Sequence, residues 1–371
     1  MRPVWAEVDL RAIKHNLRAI RGLLAPGTGL MAVVKANAYG HGLVEVSRAV
    51  LEAGASWLGV AIPEEAAELR AAGVQAPILV LGYTPAEQGP EMAALGVSVC
   101  LSSMEQARAI AAGVQKAGLK IKSHIKIDTG MGRLGFLYSR AVQEVSRMAG
   151  LPGLEVEGIF THFAAADAAD TGFAREQLQR FRQVVADMAR LGLHFRWQHA
   201  ANSAAVARLP ESHFNLVRPG IMLYGCSPLE PGQDLPVKLQ PAMSFRARIA
   251  MVKEVPPGTP ISYGCTYVTG ERARIATLPV GYADGYSRGL SNCGQVLVDG
   301  NRIPVVGRVC MDHVMVDVSR VAAAGVGQEV ILWGPGEKGC LPVEEVADKV
   351  STISYELLCA VGPRVPRVYR E

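Results

Sequence analysis

Residues 195–220 read FRWQHAANSAAVARLPESHFNLVRPG. Two short strand-like runs, FRWQHA (195–200) and NLVRPG (215–220), enclose a small helical stretch. They decide the fold because runs of the same kind precede them at LMAVVK (30–35), WLGVAI (57–62), PILVLGY (77–83), VSVCLS (97–102), IKSHIKID (121–128) and VEGIFTHF (156–163). Between the runs lie segments of helical period, such as EEAAELRAAG, SMEQARAIAAGVQKAG and FAREQLQRFRQVVADMARLG. Several end in glycine, a common helix C-cap. Alternating strands and helices predict a parallel sheet, and this number of units predicts a closed (β/α)8 TIM-type barrel rather than an open doubly wound sheet.

The texture changes near residue 236. Alternating runs take over: SFRARIAMVKEV, ARIATLPVGY, QVLVDGNRIPVVGRV and HVMVDVS. The Asp299-Gly300 pair between β-prone residues predicts a hairpin. VEEVADKVSTISYELLCAV (343–361) reads as helical. At 371 residues the chain has room for two domains. The expectation is an α/β barrel over 1–235 and a mainly β domain over 236–371, with the first few residues candidates to pair with the second domain.

Composition narrows the function. The chain is 49% hydrophobic and 19% charged, which fits large cores, and its 38 basic and 34 acidic residues are dispersed. Without a basic run or an interleaved aromatic stripe, nucleic acid is not an expected partner. No stretch is apolar enough to span a bilayer and the N-terminus carries no apolar leader core, so a cytoplasmic protein without membrane association is expected. The 7 cysteines are scattered singly, which suits reduced thiols. The 8 histidines show no H-x-H or H-x-x-x-H spacing, so no metal site is expected.

Barrel chemistry gathers at the C-terminal ends of the strands. Polar residues concentrate there: Lys35 and Tyr39, then Asp128 and Arg133, His162, His199 with Asn202 and Ser203, and Arg218 with Gly220. The loops after strands 7 and 8 commonly bind phosphate. In HAANSAAVARL either Asn202 or Ser203 could cap the short helix, and the Ser203 hydroxyl could bind an anion. In RPGIMLYG, Gly220 permits close approach of a ligand to the backbone. A lysine held in an apolar surround has a lowered pKa and attacks carbonyls. That lysine after strand 1 and a phosphate site after strands 7 and 8 together suggest pyridoxal 5′-phosphate, held by Lys35 as a Schiff base. Arg218 is then a candidate partner for the pyridine nitrogen. It cannot give up a proton, which would favour reprotonation at the substrate Cα over transamination.

With these residues in place, the sequence resembles the alanine racemase family over essentially its whole length. AVVKANAYGHG, KIDTGMGRLGF, THFAAAD, HAANSAA, VRPGIMLYG, ISYG, LPVGYADGYSRGLSN and GRVCMDHVMVD follow in family order. The resemblance implies interconversion of L- and D-alanine, serving peptidoglycan synthesis, with Lys35 and Tyr263 as the two bases. It implies a homodimer whose active sites are shared, Tyr263 arriving from the partner subunit. Tyr39, Ser203, Gly220, Ile221 and Tyr355 match phosphate-binding positions. His162 matches the residue packed on the cofactor ring, and His199 the one that orients Arg218. Arg133, Met311 and Asp312 match the substrate-carboxylate region, Lys126 the lysine that is often carbamylated, and Tyr282 the entry path. A decarboxylase of basic amino acids and a non-catalytic pyridoxal-phosphate carrier are the competing expectations.

Overall fold

The computed structural model describes residues 2–148 and 150–371. The chain divides into two units: residues 13–38 with 43–239, and residues 1–12, 39–42 and 240–371. The segment Tyr39–Gly42, within the first domain by sequence, thus falls in the second unit.

In the first unit the parallel strands are β1 (Gly29–Val33), β2 (Trp57–Val60), β3 (Ile78–Val80), β4 (Ser98–Leu101), β5 (Ile121–Asp128), β6 (Leu154–Phe160), β7 (Trp197–His199) and β8 (Leu216–Val217). They pair in the order β8-β1-β2-β3-β4-β5-β6-β7, which is the barrel expected from the sequence, nearly closed. The strands are short and rich in Val, Ile and Leu because helices cover one face and side chains fill the other. β2, β3 and β4 are buried at every position. The helix Gly172–Arg190 buries Ala174, Leu178, Phe181, Val184 and Met188, a stripe at helical spacing. The glycines that end EEAAELRAAG, SMEQARAIAAGVQKAG and FAREQLQRFRQVVADMARLG (Gly73, Gly118 and Gly192) all take positive φ, as a C-cap requires.

Two irregularities matter for the site. Between β5 and β6 the register slips, so that Ser123 faces Val156 but His124 faces Gly158, and Glu157 is the extra residue of a bulge. Between β7 and β8 the described residues form no ladder. There the Asn215 carboxamide accepts from the Gln198 N–H (2.8 Å) and donates to the Arg196 carbonyl (2.7 Å), while the Arg218 N–H donates to the Ala201 carbonyl (2.9 Å).

The second unit is built on sheets. Val4–Asp9 pairs antiparallel with Met243–Arg248 and parallel with Arg367–Arg370. Glu329–Gly336, Gln295–Val298 and Asn301–Pro304 extend that sheet. The last two form the expected hairpin, with Asp299 and Gly300 at φ 51° and 81°, both left-handed as a two-residue turn requires. Arg246 lies against Glu7 at 2.7 Å, and Arg370 reaches the same carboxylate, so the terminal strands are pinned by charge as well as by ladders. Met251–Val255, Ala273–Leu278 and Val314–Asp317 form a separate small sheet. The stretch 343–361 is helical as expected but in two pieces, Val343–Asp348 and Ser354–Ala360, separated where Ser351 turns left-handed at φ 54°.

Candidate active site

Lys35 follows directly on the buried run of β1, and its side chain is half-buried. The backbone beyond it is unusual: Ala36, Asn37, Ala38 and Tyr39 all have φ between 51° and 54°. A run of left-handed residues costs about 1–2 kcal/mol each, so something must hold it. The Asn37 carboxamide accepts from the Leu43 N–H (2.8 Å), at the start of the next helix. The Ala38 N–H donates to the Val34 carbonyl (2.8 Å). One oxygen of Glu65 accepts from the Ala36 N–H (2.5 Å) and the other from the Ala61 N–H (2.8 Å). The lysine is therefore set on a fixed turn.

At the end of β5, Lys126 is buried to 4% exposure with its ammonium 5.6 Å from the centre of the Phe160 ring. Burial lowers its pKa to about 8, with Arg133 and Arg218 adding to the effect. Asp128, read from sequence among the residues at the barrel mouth, has a local task. One of its oxygens accepts from the N–H groups of Gly130, Met131 and Gly132, folding the loop that carries the exposed Arg133.

His162 follows β6 and is held from behind by Gln177. That carboxamide donates to the His162 carbonyl (3.1 Å) and to Thr129 (3.2 Å), and accepts from the Ala164 N–H (2.9 Å). The His162 pKa lies well below its ordinary value. Burial is the main cause, and the charges of Arg218, Arg133, Lys126 and Lys35 follow.

The ends of β7 and β8 meet in a small cradle. Asn202, not Ser203, caps the helix Ser203–Arg208, its oxygen accepting from the Ala205 N–H at 3.0 Å. Ser203 instead ties the two loops together: its Oγ accepts from the Gly220 N–H at 2.9 Å and lies 3.5 Å from the Met222 nitrogen. Ile221 opens the turn that follows Gly220. Arg218 is buried to 4% exposure, and its guanidinium donates to His199 Nδ1 (2.8 Å), to the Thr161 carbonyl (2.7 Å) and to the Ala200 carbonyl (3.1 Å), with His162 Nδ1 at 3.4 Å. Burial draws its pKa down to about 9, which leaves it cationic at neutral pH.

In the second unit, Tyr39 is buried with its ring 6.0 Å from that of Tyr355. Burial raises its phenol pKa. The loop of Tyr39 sits on the helix of Tyr355 through Gly40, where a Cβ would lie 2.2 Å from the Leu358 carbonyl oxygen. Arg367 clamps the same region, donating to the carbonyls of Gly40, Val361, Gly362 and Val365. Tyr263 is 73% exposed on a strained turn, with φ positive at Ser262, Gly264 and Cys265. The Ser262 hydroxyl anchors that turn to the Arg308 carbonyl at 2.6 Å. Tyr282 and Met311 are also exposed. They lie on adjoining segments, since the N–H groups of Tyr282 and Ala283 donate to the carbonyls of Cys310 and Met311. Asp312 pairs with Arg364 at 2.6 Å, and that hydrogen bond holds its carboxyl below the usual range.

Residues 8–228 match the model of the alanine racemase N-terminal domain, and residues 242–369 that of the alanine racemase C-terminal domain. The chain belongs to the alanine racemase family of enzymes. The alanine racemase of Desulforamulus reducens is 50% identical over 368 residues, covering 99% of each chain. That of Desulfovibrio desulfuricans is 48% identical over 370 residues, covering 100% of this chain and 99% of its own. The solved alanine racemase of Clostridium difficile superposes with a TM-score of 0.95 at 39% identity, covering 100% of this chain and 96% of its own.

Sequence reading missed three polar residues around this constellation: Gln177, His124 and Glu157. It found no close histidine pair, yet His124 and His199 stand 2.8 Å apart inside the barrel. A signal existed, because His124 and Lys126 share a face of β5 by the period-two rule. No such signal marks Glu157, whose direction is set by the bulge.

Proposed function

We propose that this chain is a pyridoxal-phosphate-dependent alanine racemase that interconverts L- and D-alanine with two bases, Lys35 and Tyr263. It would work as a cytoplasmic homodimer whose active sites are shared between subunits, supplying D-alanine for peptidoglycan. The single observation that carries the reading is the meeting of the β7 and β8 ends, where the buried Arg218 guanidinium lies 3.4 Å from His162 Nδ1 beside the Ser203–Gly220 cradle. That donor set fits a multiply charged anion with a phosphate at one end. Tyr39, Ser203, Gly220, Ile221 and Tyr355 would hold the phosphate, His162 and Arg218 the ring, and Asn202 would contribute to the cofactor site from the cap of the helix that Ser203 begins.

When bound, pyridoxal phosphate supplies an electron sink for negative charge at the substrate Cα. The remaining work belongs to the protein. Lys35 moves a proton at one face of Cα and Tyr263 at the other. Two bases are needed because a single base returning its own proton regenerates the same enantiomer. Arg218 would offer the ring nitrogen a hydrogen bond but no transferable proton, which would favour reprotonation at Cα. Arg133, Met311 and Asp312 orient the substrate carboxylate, and Tyr282 narrows the approach. An amine with a pKa near 8, as at Lys126, is neutral often enough to take up carbon dioxide, and the resulting carbamate would give Arg133 an anionic partner.

Incubating the protein with L-alanine and pyridoxal phosphate is expected to produce D-alanine until the rotation falls to zero. Unchanged optical rotation would sink the reading. Tyr263→Phe is expected to keep cofactor binding while racemisation falls by about 10²-fold or more, the usual weight of a positioned acid–base group.

A further inference from the structure

Beneath Arg218 the barrel interior holds a line of polar groups that the proton transfers do not use. Arg218 donates to His199 Nδ1 at 2.8 Å, and His199 Nε2 lies 2.8 Å from His124 Nδ1. His124 Nε2 lies 3.5 Å from a Glu157 oxygen, which also accepts from the Ser98 hydroxyl at 2.6 Å. Both imidazoles are fully buried. Burial lowers both pKa values, so both rings are neutral. Burial alone would raise the Glu157 pKa, but the nearby His124 ring and the hydrogen bond from Ser98 outweigh it and hold the carboxyl below its usual range.

A guanidinium only donates and a carboxylate only accepts. His199 must therefore accept at Nδ1 and carry its proton on Nε2. His124 must accept that proton's hydrogen bond at Nδ1 and carry its own proton on Nε2, toward Glu157.

The fold makes room for this line at some cost to regularity. The bulge at Glu157 turns its side chain out of the alternation of β6 and into the barrel beside His124. At Gly158 a Cβ would stand 2.4 Å from His124 Nδ1, so only glycine admits the ring. Trp57 meets His124 edge-on at 5.3 Å, and Phe160 stacks on His199 at 4.8 Å with planes 3° apart.

We propose that His124 and Glu157 are positioning residues for Arg218. The Glu157 carboxylate, 3.5 Å from His124 Nε2, favours from the far end of the line the same tautomers that the guanidinium demands, and so helps to keep the His199 lone pair aimed at Arg218. Without that carboxylate, Arg218 alone opposes the reversed tautomers, in which donor would face donor at the guanidinium. The task given to Arg218 rests on the function proposed above; the tautomers do not.

Neutron diffraction from crystals of the whole perdeuterated protein at neutral pH tests the tautomers directly. Deuterium is expected on Nε2 of both His124 and His199 and on neither Nδ1; deuterium on either Nδ1 overturns the proposal, whatever the activity. Glu157→Gln retains an oxygen acceptor and Glu157→Leu does not. We expect kcat within about threefold of wild type for the first and about tenfold or more below it for the second, with KM for alanine within about twofold in both. A Glu157→Leu protein with wild-type kcat overturns the positioning role. Should that variant not fold, a Glu157→Gln protein with kcat lowered about tenfold while both tautomers are retained overturns it equally.

Discussion

At the scale of single residues, the site depends on cations kept where water would ordinarily hold them. Arg218 is buried, yet it has acceptors on His199, Thr161 and Ala200, which is how a desolvated charge is tolerated. Lysine at this position keeps the charge but loses the planar fork. Arg218→Lys is therefore expected to lower kcat by about 10- to 100-fold, or about 1.4–2.7 kcal/mol of barrier, in steady-state racemisation assays. Lys126 is the softer case. If it takes up carbon dioxide as proposed, intact-protein mass spectrometry in bicarbonate will show a mass increase of one carbon dioxide that Lys126→Met abolishes. Such residues were partly legible in the sequence. Lys35, His162, Ser203 and Arg218 stood out because a polar side chain at the end of an apolar run is conspicuous. Asp128 stood out equally and turned out to fold its own loop. Tyr263 carried no local signal at all, since an exposed tyrosine on a turn looks like any other, and only the family resemblance singled it out.

At the scale of elements, two departures from regular backbone do the placing. The left-handed turn after Lys35 is held by the Asn37 carboxamide, which also caps the helix beginning at Leu43. Asn37→Ala removes the cap and one of the side chains that tolerate positive φ. A loss of about 1–2 kcal/mol is expected in denaturant unfolding, with a raised KM for pyridoxal phosphate as the lysine loosens. The bulge in β6 is the second device. Gly158→Ala would drive a methyl group into the His124 ring, and about 1–3 kcal/mol of destabilisation is expected from overpacking, measured by the same unfolding curves. Neither device could be read from hydrophobic pattern. Strand runs reveal where a strand lies to within a few residues, but a bulge shifts one residue without altering composition, and KANAY contains no glycine to announce four positive φ angles. The hairpin at Asp299-Gly300 was legible for the opposite reason, because its turn type demands those residues.

At the scale of the whole molecule, the neutral histidines couple stability to pH. His124, His162 and His199 all have pKa values below the ordinary 6.5, chiefly through burial. As pH falls through about 6.5 the unfolded chain takes up protons that the folded chain refuses, so unfolding becomes easier on the acid side. Thermal melting is expected to shift downward from about pH 7.5 to about pH 5, and a His199→Gln protein should show a shallower shift. Shared active sites would make a second prediction at this scale. Mixing unfolded Lys35→Ala and Tyr263→Phe chains and refolding them together should recover about a quarter of the wild-type sites, because half the dimers pair one intact lysine with one intact tyrosine. No recovery would argue that each site is built within one chain.

The join between β7 and β8 has a further consequence. Where other neighbouring barrel strands share a ladder, these two are joined by the Asn215 carboxamide, the Arg218 side chain and one main-chain bond, next to the Ser203–Gly220 cradle. A cylinder fastened so lightly at one line opens there first. An anion seated across both loops would act as a clasp, so the slow amide hydrogen exchange that a closed barrel should show at Gln198 and Arg218 would depend on cofactor loading. Exchange at these two amides is expected to slow on addition of pyridoxal phosphate while that in β3 stays unchanged, a difference that mass spectrometry of peptic fragments can resolve.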